Sequence, residues 1–315
     1  MHAPRTRVSR RPVHGVLLLD KPLGLSSNDA LQKCKWLLRA EKAGHTGTLD
    51  PLATGVLPLC FGAATKFSQL HLDADKCYVA VARLGVKTST GDAEGEVIAE
   101  RPVQITAQQV AEVAQRFTGR IRQVPPMHSA LKKDGRALYE YARAGIEVER
   151  EAREIEIYAL AIECLPREGG MDLRLEVRCS KGTYIRTLGE DIGEALGCGA
   201  HLVSLRRTAT GAFDLSQCVT LQALEAMDED ARLSVLLPVD SLLAGHEAVT
   251  LAADDAGRFL SGLRRRGNWK DSLQVAVYGQ QPAALLGTAH VKAGELIPGR
   301  LLNPAEIEQI LESET

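Results

Sequence analysis

Hydrophobic positions change period several times along the chain. Val16–Leu19 is an unbroken apolar run that ends at Asp20 and the turn residues Lys21-Pro22-Leu23-Gly24, which predicts a buried strand. Ser26, Ser27 and Asn28 are good caps for a helix to Arg39, with Leu31, Cys34 and Leu38 on one face. A Gly-rich loop follows over 43–50. The apolar run 52–60 contains Gly55 and Pro58, so strand and loop both stay open there. Residues 76–84 predict a strand, followed by turns at Gly91-Asp92 and Gly95, and Thr106 predicts the cap of a helix through Phe117. Residues 119–153 break the rhythm. Pro125-Pro126, Gly135 and Gly145 punctuate a basic, polar stretch with one short helix near 137–143, an excursion more than a core element. From Met171 the chain alternates through Leu173, Leu175, Val177 and Cys179, as a half-buried strand does. Ile185, Leu188 and Ile192 then recur at helical spacing up to Gly197. Past 245–250, short apolar runs at 273–278, 283–286 and 296–297 predict a small β-rich module.

Composition adds bounds. The 315 residues, 45% hydrophobic and 25% charged, describe an ordinary folded protein of about two domains. We divide them into a domain over 1–248 and a second over 249–315 that ends in an acidic tail. No apolar run approaches the roughly 18 residues that span a bilayer. The basic N-terminus (Arg5, Arg7, Arg10, Arg11) is followed by no apolar stretch of the secretory kind. The cysteines at 34, 60, 77, 164, 179, 198 and 218 form no CxxC pair, which predicts reduced thiols and a cytoplasmic protein. No heptad or long exposed apolar stripe points to a dimer, so a monomer is expected.

Net charge is −2, but the charge is unevenly placed. Basic residues concentrate in 1–66, 116–153 and 258–270, and acids in 220–256 and from Glu306 to Glu314. Such segments suit either a basic groove or a solvated mixed surface. Aromatic residues are only 4%, which argues against a platform of many stacked rings. There is no GxxxxGK[ST], GxGxxG or HExxH motif and no paired Cys-His spacing, so no cofactor and no metal are expected. Any reaction rests on side chains.

The densest stretch runs from Gly44-His45-Thr46-Gly47 through Asp50-Pro51 to Leu57. Small residues let a ligand approach the backbone, and Pro51 stiffens the chain after Asp50. A carboxylate held rigidly on a loop suits a nucleophile or cation stabiliser. The same spacing also suits a turn in which Asp50 caps backbone N–H groups.

This stretch resembles the signature of bacterial tRNA pseudouridine-55 synthases of the TruB type. Further motifs extend the resemblance over 15–213: Gly15–Pro22 with Ser26-Ser27-Asn28, Lys76-Cys77-Tyr78, Pro125 through Gly145, Cys179 through Leu188, and Gly197 through Thr208. Phe259, Gly262, Gly287, Gly299 and Arg300-Leu301-Leu302 resemble, less specifically, a C-terminal PUA domain. The resemblance implies a mixed α/β (α+β) pseudouridine synthase fold on a largely antiparallel sheet, with that small β-rich PUA domain behind it. It implies isomerisation of uridine to pseudouridine at position 55 in the tRNA T-loop, a reaction that needs no energy donor. By the same resemblance Asp50 is the catalytic carboxylate, as in a retaining glycosidase. Arg186 is its partner, expected to lower its pKa and hold it ionised. Tyr78 is the ring stacked on the target base, although an amphipathic strand would also bury it. Leu205 packs near the catalytic pair, and His45 fills the gap left by the flipped base. Lys21, Tyr184, Lys132 and Arg143 are implied RNA contacts, and Arg120, Arg122, Lys133 and Arg136 join them as candidate phosphate ligands. The insertion and the C-terminal domain would grip the T-arm and acceptor stem, where Arg264, Arg265 and Arg266 offer charge. Asp92 reads as a turn residue. His128 stands where the family's pattern leads us to expect an aromatic, often Tyr.

Two other readings compete. One is a guide-RNA-dependent synthase of the archaeal or eukaryotic type, against which the long insertion argues. The other is a non-catalytic RNA-binding protein or tRNA folding helper, a role compatible with catalysis.

Overall fold

The structure, a computed structural model, describes residues 9–313; Arg5, Arg7 and Glu314 lie outside them. The chain opens with strand β1 (Gly15–Lys21), helix α1 (Ser27–Leu37), and strands β2 (Ala43–His45), β3 (Ala53–Phe61) and β4 (Lys76–Leu84). Helix α2 (Ala107–Arg116), β5 (Gly119–Gln123) and α3 (Leu138–Arg143) follow. Then come β6 (Arg153–Arg167), β7 (Gly170–Cys179), α4 (Ile185–Ala195), β8 (Ala200–Thr210) and β9 (Val219–Thr220). The main sheet runs β9-β1-β3-β8-β4-β7-β6-β5, with β2 beside β3. The β9–β1 and β3–β8 pairs are parallel, and the other pairs along this path are antiparallel.

The apolar run of β1 has a physical reason. Leu17 and Leu19 join one core with α1 and α4, while Val16 and Leu18 point into a second core shared with the C-terminal module. A strand covered on both faces carries no polar alternation. Strand β3 is built the same way, with Leu57, Leu59 and Phe61 on one side and Val56 and Cys60 on the other. The ambiguous run is therefore strand. Gly55 sits in it at φ +101°, and a side chain there would collide with the Arg207 carbonyl oxygen on β8. Glycine lets β8 lie alongside. The caps follow the sequence: Ser26 accepts from the Asp29 N–H, and Thr106 and Gln109 form a capping box.

Two expectations change, and two strands appear for which none was made. Residues 119–123 are not part of an excursion: they form β5, the sheet-edge strand paired with β6. The excursion is the stretch after it. Strands β6 and β8 went unassigned. In β6 the apolar phase switches from Ile155 and Ile157 to Leu160 and Ile162, because a bulge after Ile157 shifts the register against β7. Finally, the acidic C-terminal stretch is no tail as far as Ser313. It is a helix, α6, described below, with Ile307 buried.

The C-terminal module comprises β10 (Glu247–Leu251), α5 (Ala253–Leu260), β11 (Ser272–Gln280), β12 (Ala283–Lys292), β13 (Glu295–Leu301) and α6 (Pro304–Ser313). Its five-stranded sheet has the order β10-β11-β12-β13, closed by the short strand Arg265–Arg266. Phe259, Val277 and Leu296 bring its core against Val16, Leu18 and Phe67 of the main sheet's side. Lys66 ties α6 down, bonding Glu306 at 2.6 Å and the Leu301 carbonyl at 2.9 Å. Among the described residues, no helix is long and apolar enough to cross a membrane.

Candidate active site

The loop that carries Asp50 is pinned from several sides. Ser27, the first residue of α1, accepts from the Leu49 N–H at 2.7 Å and donates to the Leu49 carbonyl at 2.9 Å. Gly24 N–H bonds the Pro51 carbonyl, and Thr46 N–H bonds the Pro58 carbonyl. Arg207 holds the Gly47 carbonyl at 3.1 Å. These bonds replace secondary structure in fixing the loop and set its shape.

The half-buried Asp50 carboxylate pairs with Arg186 Nη2 at 2.9 Å. Arg186 enters from the first turn of α4 and is 5% exposed. Its Nη1 reaches Asp92 at 3.4 Å and the Thr90 carbonyl at 3.0 Å, and its Nη2 also reaches the His128 carbonyl at 2.6 Å. One guanidinium thus joins the Asp50 loop, the 90–92 turn and the start of the insertion. A planar fork with five donors suits such a junction; a lysine does not. Because His128 contributes its carbonyl, the departure from the expected aromatic leaves this contact intact.

Burial raises the Asp50 carboxyl above its ordinary value. Arg186 pulls it down and Asp92 pushes it up, and the net direction is upward. The expected lowering by arginine is present but outweighed by desolvation. Tyr78 is likewise raised by burial, with Arg207 opposing. His45 is lowered by burial and then by Arg207, which favours neutral imidazole, and its buried Nδ1 has no hydrogen-bond partner.

Two cavities meet at this junction. The inner one, about 330 Å³, is lined by Asp50, Tyr78, Tyr184, Arg186 and Leu205, with Lys76 and Arg207. The outer one shares Asp50 and Arg186 and adds His45, Asp92, Tyr139 and Arg143. Among the described residues, no group of three or more His, Cys, Asp or Glu could hold a metal ion.

The chain matches the N-terminal domain of TruB family pseudouridylate synthases over residues 35–185, and the C-terminal domain of tRNA pseudouridylate synthase B over residues 186–244. It is 62% identical to the tRNA pseudouridine synthase B of Verminephrobacter eiseniae, across 99% of this chain and 96% of that one. Identity to the tRNA pseudouridine synthase B of Ralstonia nicotianae is 59%, across 93% and 96%. The chain belongs to the TruB family. Among solved structures, a Cbf5-Nop10-Gar1 complex is similar at TM-score 0.68 and 27% identity, covering 93% of this chain and 86% of that one. An H/ACA RNP bound to a substrate RNA containing 2′-deoxyuridine is similar at TM-score 0.67 and 25% identity, covering 92% and 86%.

Within this TruB-family fold, the residues singled out in the sequence separate by location. Asp50, Tyr78, Tyr184, Arg186 and Leu205 converge on the inner cavity, and His45 and Arg143 face the outer one. Lys132 is exposed, on the short hairpin that pairs it with Ala137. Lys21 departs from expectation. It is fully buried, and its ammonium bonds the Pro22 and Leu25 carbonyls, so it braces the turn after β1. Arg264 and Arg266 pair with Glu295 and Arg265 with Asp255, which offsets the charge of that run. Arg120 lies near Glu154 and Glu156, and Arg122 donates to the Ala152 carbonyl.

Sequence reasoning missed three residues. Asp92 holds its turn through Oδ1, which accepts from Thr90 Oγ1 and the Glu94 N–H, while Oδ2 faces Arg186. The turn assignment captured half of its work. Gln123 is 3% exposed and clamps the backbone of Tyr184 with both amide atoms, at 2.8 and 3.0 Å, where α4 starts without a side-chain cap of its own. Arg207 went unassigned within a motif; its arginine-arginine pair gave no sign of which side chain turns inward.

Proposed function

We propose that this TruB-family chain isomerises uridine to pseudouridine at position 55 of the tRNA T-loop, with Asp50 as the catalytic carboxylate. The target nucleoside flips into the inner cavity, its base against Tyr78 and Leu205. The C1′–N1 bond breaks, and Asp50 stabilises or captures the electron-poor C1′. The base turns and C5 bonds to C1′. Arg186 aims the carboxylate, and Asp92 aims Arg186. His45 occupies the space vacated in the stack, which offsets the loss of stacking. The insertion and the C-terminal module, read as a PUA domain, hold the T-arm and acceptor stem by shape and phosphate contacts. The protein acts in the cytoplasm.

The observation that carries this reading is the 2.9 Å pair of Asp50 and Arg186 at a cavity that also presents Tyr78 and Leu205. A T-arm stem-loop labelled with tritium at uracil C5 tests it, because C5 must lose its hydrogen to become the glycosidic carbon. Wild type is expected to release tritium with no guide RNA added, and Asp50→Asn to release none while still binding. Release by Asp50→Asn at the wild-type rate would remove Asp50 from the chemistry. Release only when a guide RNA is supplied would replace the stand-alone reading.

A further inference from the structure

Two buried cations in the inner cavity have no part in the steps above. Lys76 opens β4, and Arg207 sits opposite Tyr78 on the neighbouring strand β8. Lys76 is 8% exposed and Arg207 1%. Their heads converge on Gly47, three residues before Asp50: a side-chain carbon there would lie 3.3 Å from Arg207 Nη1 and 4.0 Å from Lys76 Cε. Lys76 Nζ donates to the Leu72 and Ala74 carbonyls, at 2.8 and 2.6 Å. Arg207 donates to the Val56 and Gly47 carbonyls, at 2.7 and 3.1 Å. Among the described residues, neither forms an ion pair with a carboxylate. The nearby acids are engaged elsewhere, Asp73 with Lys181 and Asp75 with Arg178.

Carbonyls satisfy donors without cancelling charge. Two like charges set side by side in a buried wall repel, and buried charge without a counter-charge is costly. An arrangement of this kind suits an anion that arrives with the substrate. Resting on the isomerisation above, we propose that Lys76 and Arg207 form a cationic wall that holds the negative charge developing on uracil as C1′–N1 breaks. The bond's electron pair stays with the base, spread over N1, O2 and O4, while Asp50 takes the electron-poor C1′. Both cations keep their protons throughout. The C5 hydrogen leaves as a proton after C5 has bonded to C1′, and N1 gains one, so the isomerisation balances. Fixed donors in an enclosed site stabilise such charge without having to reorganise.

Lys76 makes this testable by pH. Burial, then Arg207, lower its ammonium to about 8, against the partial offset of Cys179 on β7 and of Asp73 and Asp75 before β4. Tyr78 and His71 share its surroundings, and Arg207 and Lys76 act on His71 in turn. The charge is therefore present at neutral pH and lost as pH rises through about 8. Lys21 is lowered to about 8 too, so the useful comparison is wild type with Lys76→Arg, both of which keep Lys21.

The experiment uses the full chain and the tritiated T-arm under saturating single-turnover conditions. Lys76→Met is expected to slow release about 100-fold, the scale of losing one charge-stabilising donor, with Kd within about threefold of wild type. Lys76→Arg is expected to restore most of the neutral rate and to move the alkaline fall upward; it also serves if Lys76→Met does not fold. An unchanged rate in Lys76→Met would overturn the proposal, as would an alkaline fall in Lys76→Arg identical to wild type. A weakened Kd with a shallower salt dependence and an intact saturated rate would assign the pair to a phosphate instead. If the wild type releases no tritium, the isomerase reading falls, and this inference with it.

Discussion

Arginine does two different jobs in this molecule, and burial separates them. At the cavity junction, Arg186 is held by four named partners from three loops. In the excursion after β5, Arg136 and Arg143 are exposed and lie over the rings of Tyr141 and Tyr139, at 4.7 and 5.3 Å. Arg136, on the hairpin strand just before α3, also bonds Glu140 in the helix four residues on. The first arrangement fixes direction, because four partners from three loops hold one guanidinium. The second keeps charge available at the surface, where water and salt weaken any single pair. A site built the first way loses rate when altered. A surface built the second way loses affinity.

The largest effect should come from Arg186→Lys. An ammonium cannot reach both carboxylates and both carbonyls at once, so Asp50 loses its aim and Asp92 keeps an imperfect partner. Single-turnover release at saturating RNA is expected to fall by at least about 10³-fold. A loss under tenfold would show that charge, not the fork, is what Asp50 requires.

Next in size is Asp92→Asn, which tests whether the buried turn acts through Arg186. Asp50 is raised by burial and further by Asp92. Its ionised fraction is therefore lost, as pH falls, at a higher pH than for an ordinary carboxylate, and the acid limb of the rate lies correspondingly high. Removing the Asp92 charge should lower the Asp50 pKa and move that limb to lower pH. The plateau rate should meanwhile drop by about 10²-fold from misalignment. A purely structural turn would cost stability and leave the limb in place, so a pH–rate profile separates the two.

The same contrast explains what could be read beforehand. Strand β1 and the alternating β7 were legible, because their periods report directly which faces are covered. Asp50, Tyr78 and Arg186 were legible only through resemblance to a family; spacing alone left each with an ordinary structural role. Asp92 was hidden because Thr90-Gly91-Asp92 does form a turn, and only the fold shows where the second carboxylate oxygen points. Lys21 was named through the same resemblance, and only the fold shows that its ammonium is buried and caps the Pro22 and Leu25 carbonyls. In β6, the bulge after Ile157 changes the phase of the apolar positions, so no single period spans the strand.

The smallest effect belongs to the exposed hairpin. Lys132 and Arg136 sit on its two short strands, and neither lines the cavities that hold Asp50. If they meet RNA phosphates, replacing both with Gln should weaken T-arm binding. It should also reduce the slope of log K against log salt by about 1.5, at roughly 0.7–0.9 per phosphate lost. The loss should fall on Kd, because no atom near the reacting carbon has moved. A salt titration of binding, run beside the saturated rate, distinguishes this from the Arg186 and Asp92 variants, whose salt slopes should match wild type. A saturated rate that fell as far as that of Asp92→Asn would mean that the hairpin shapes the cavity. The division between a buried junction that sets rate and a surface that sets affinity would then fail at its cheapest point to check.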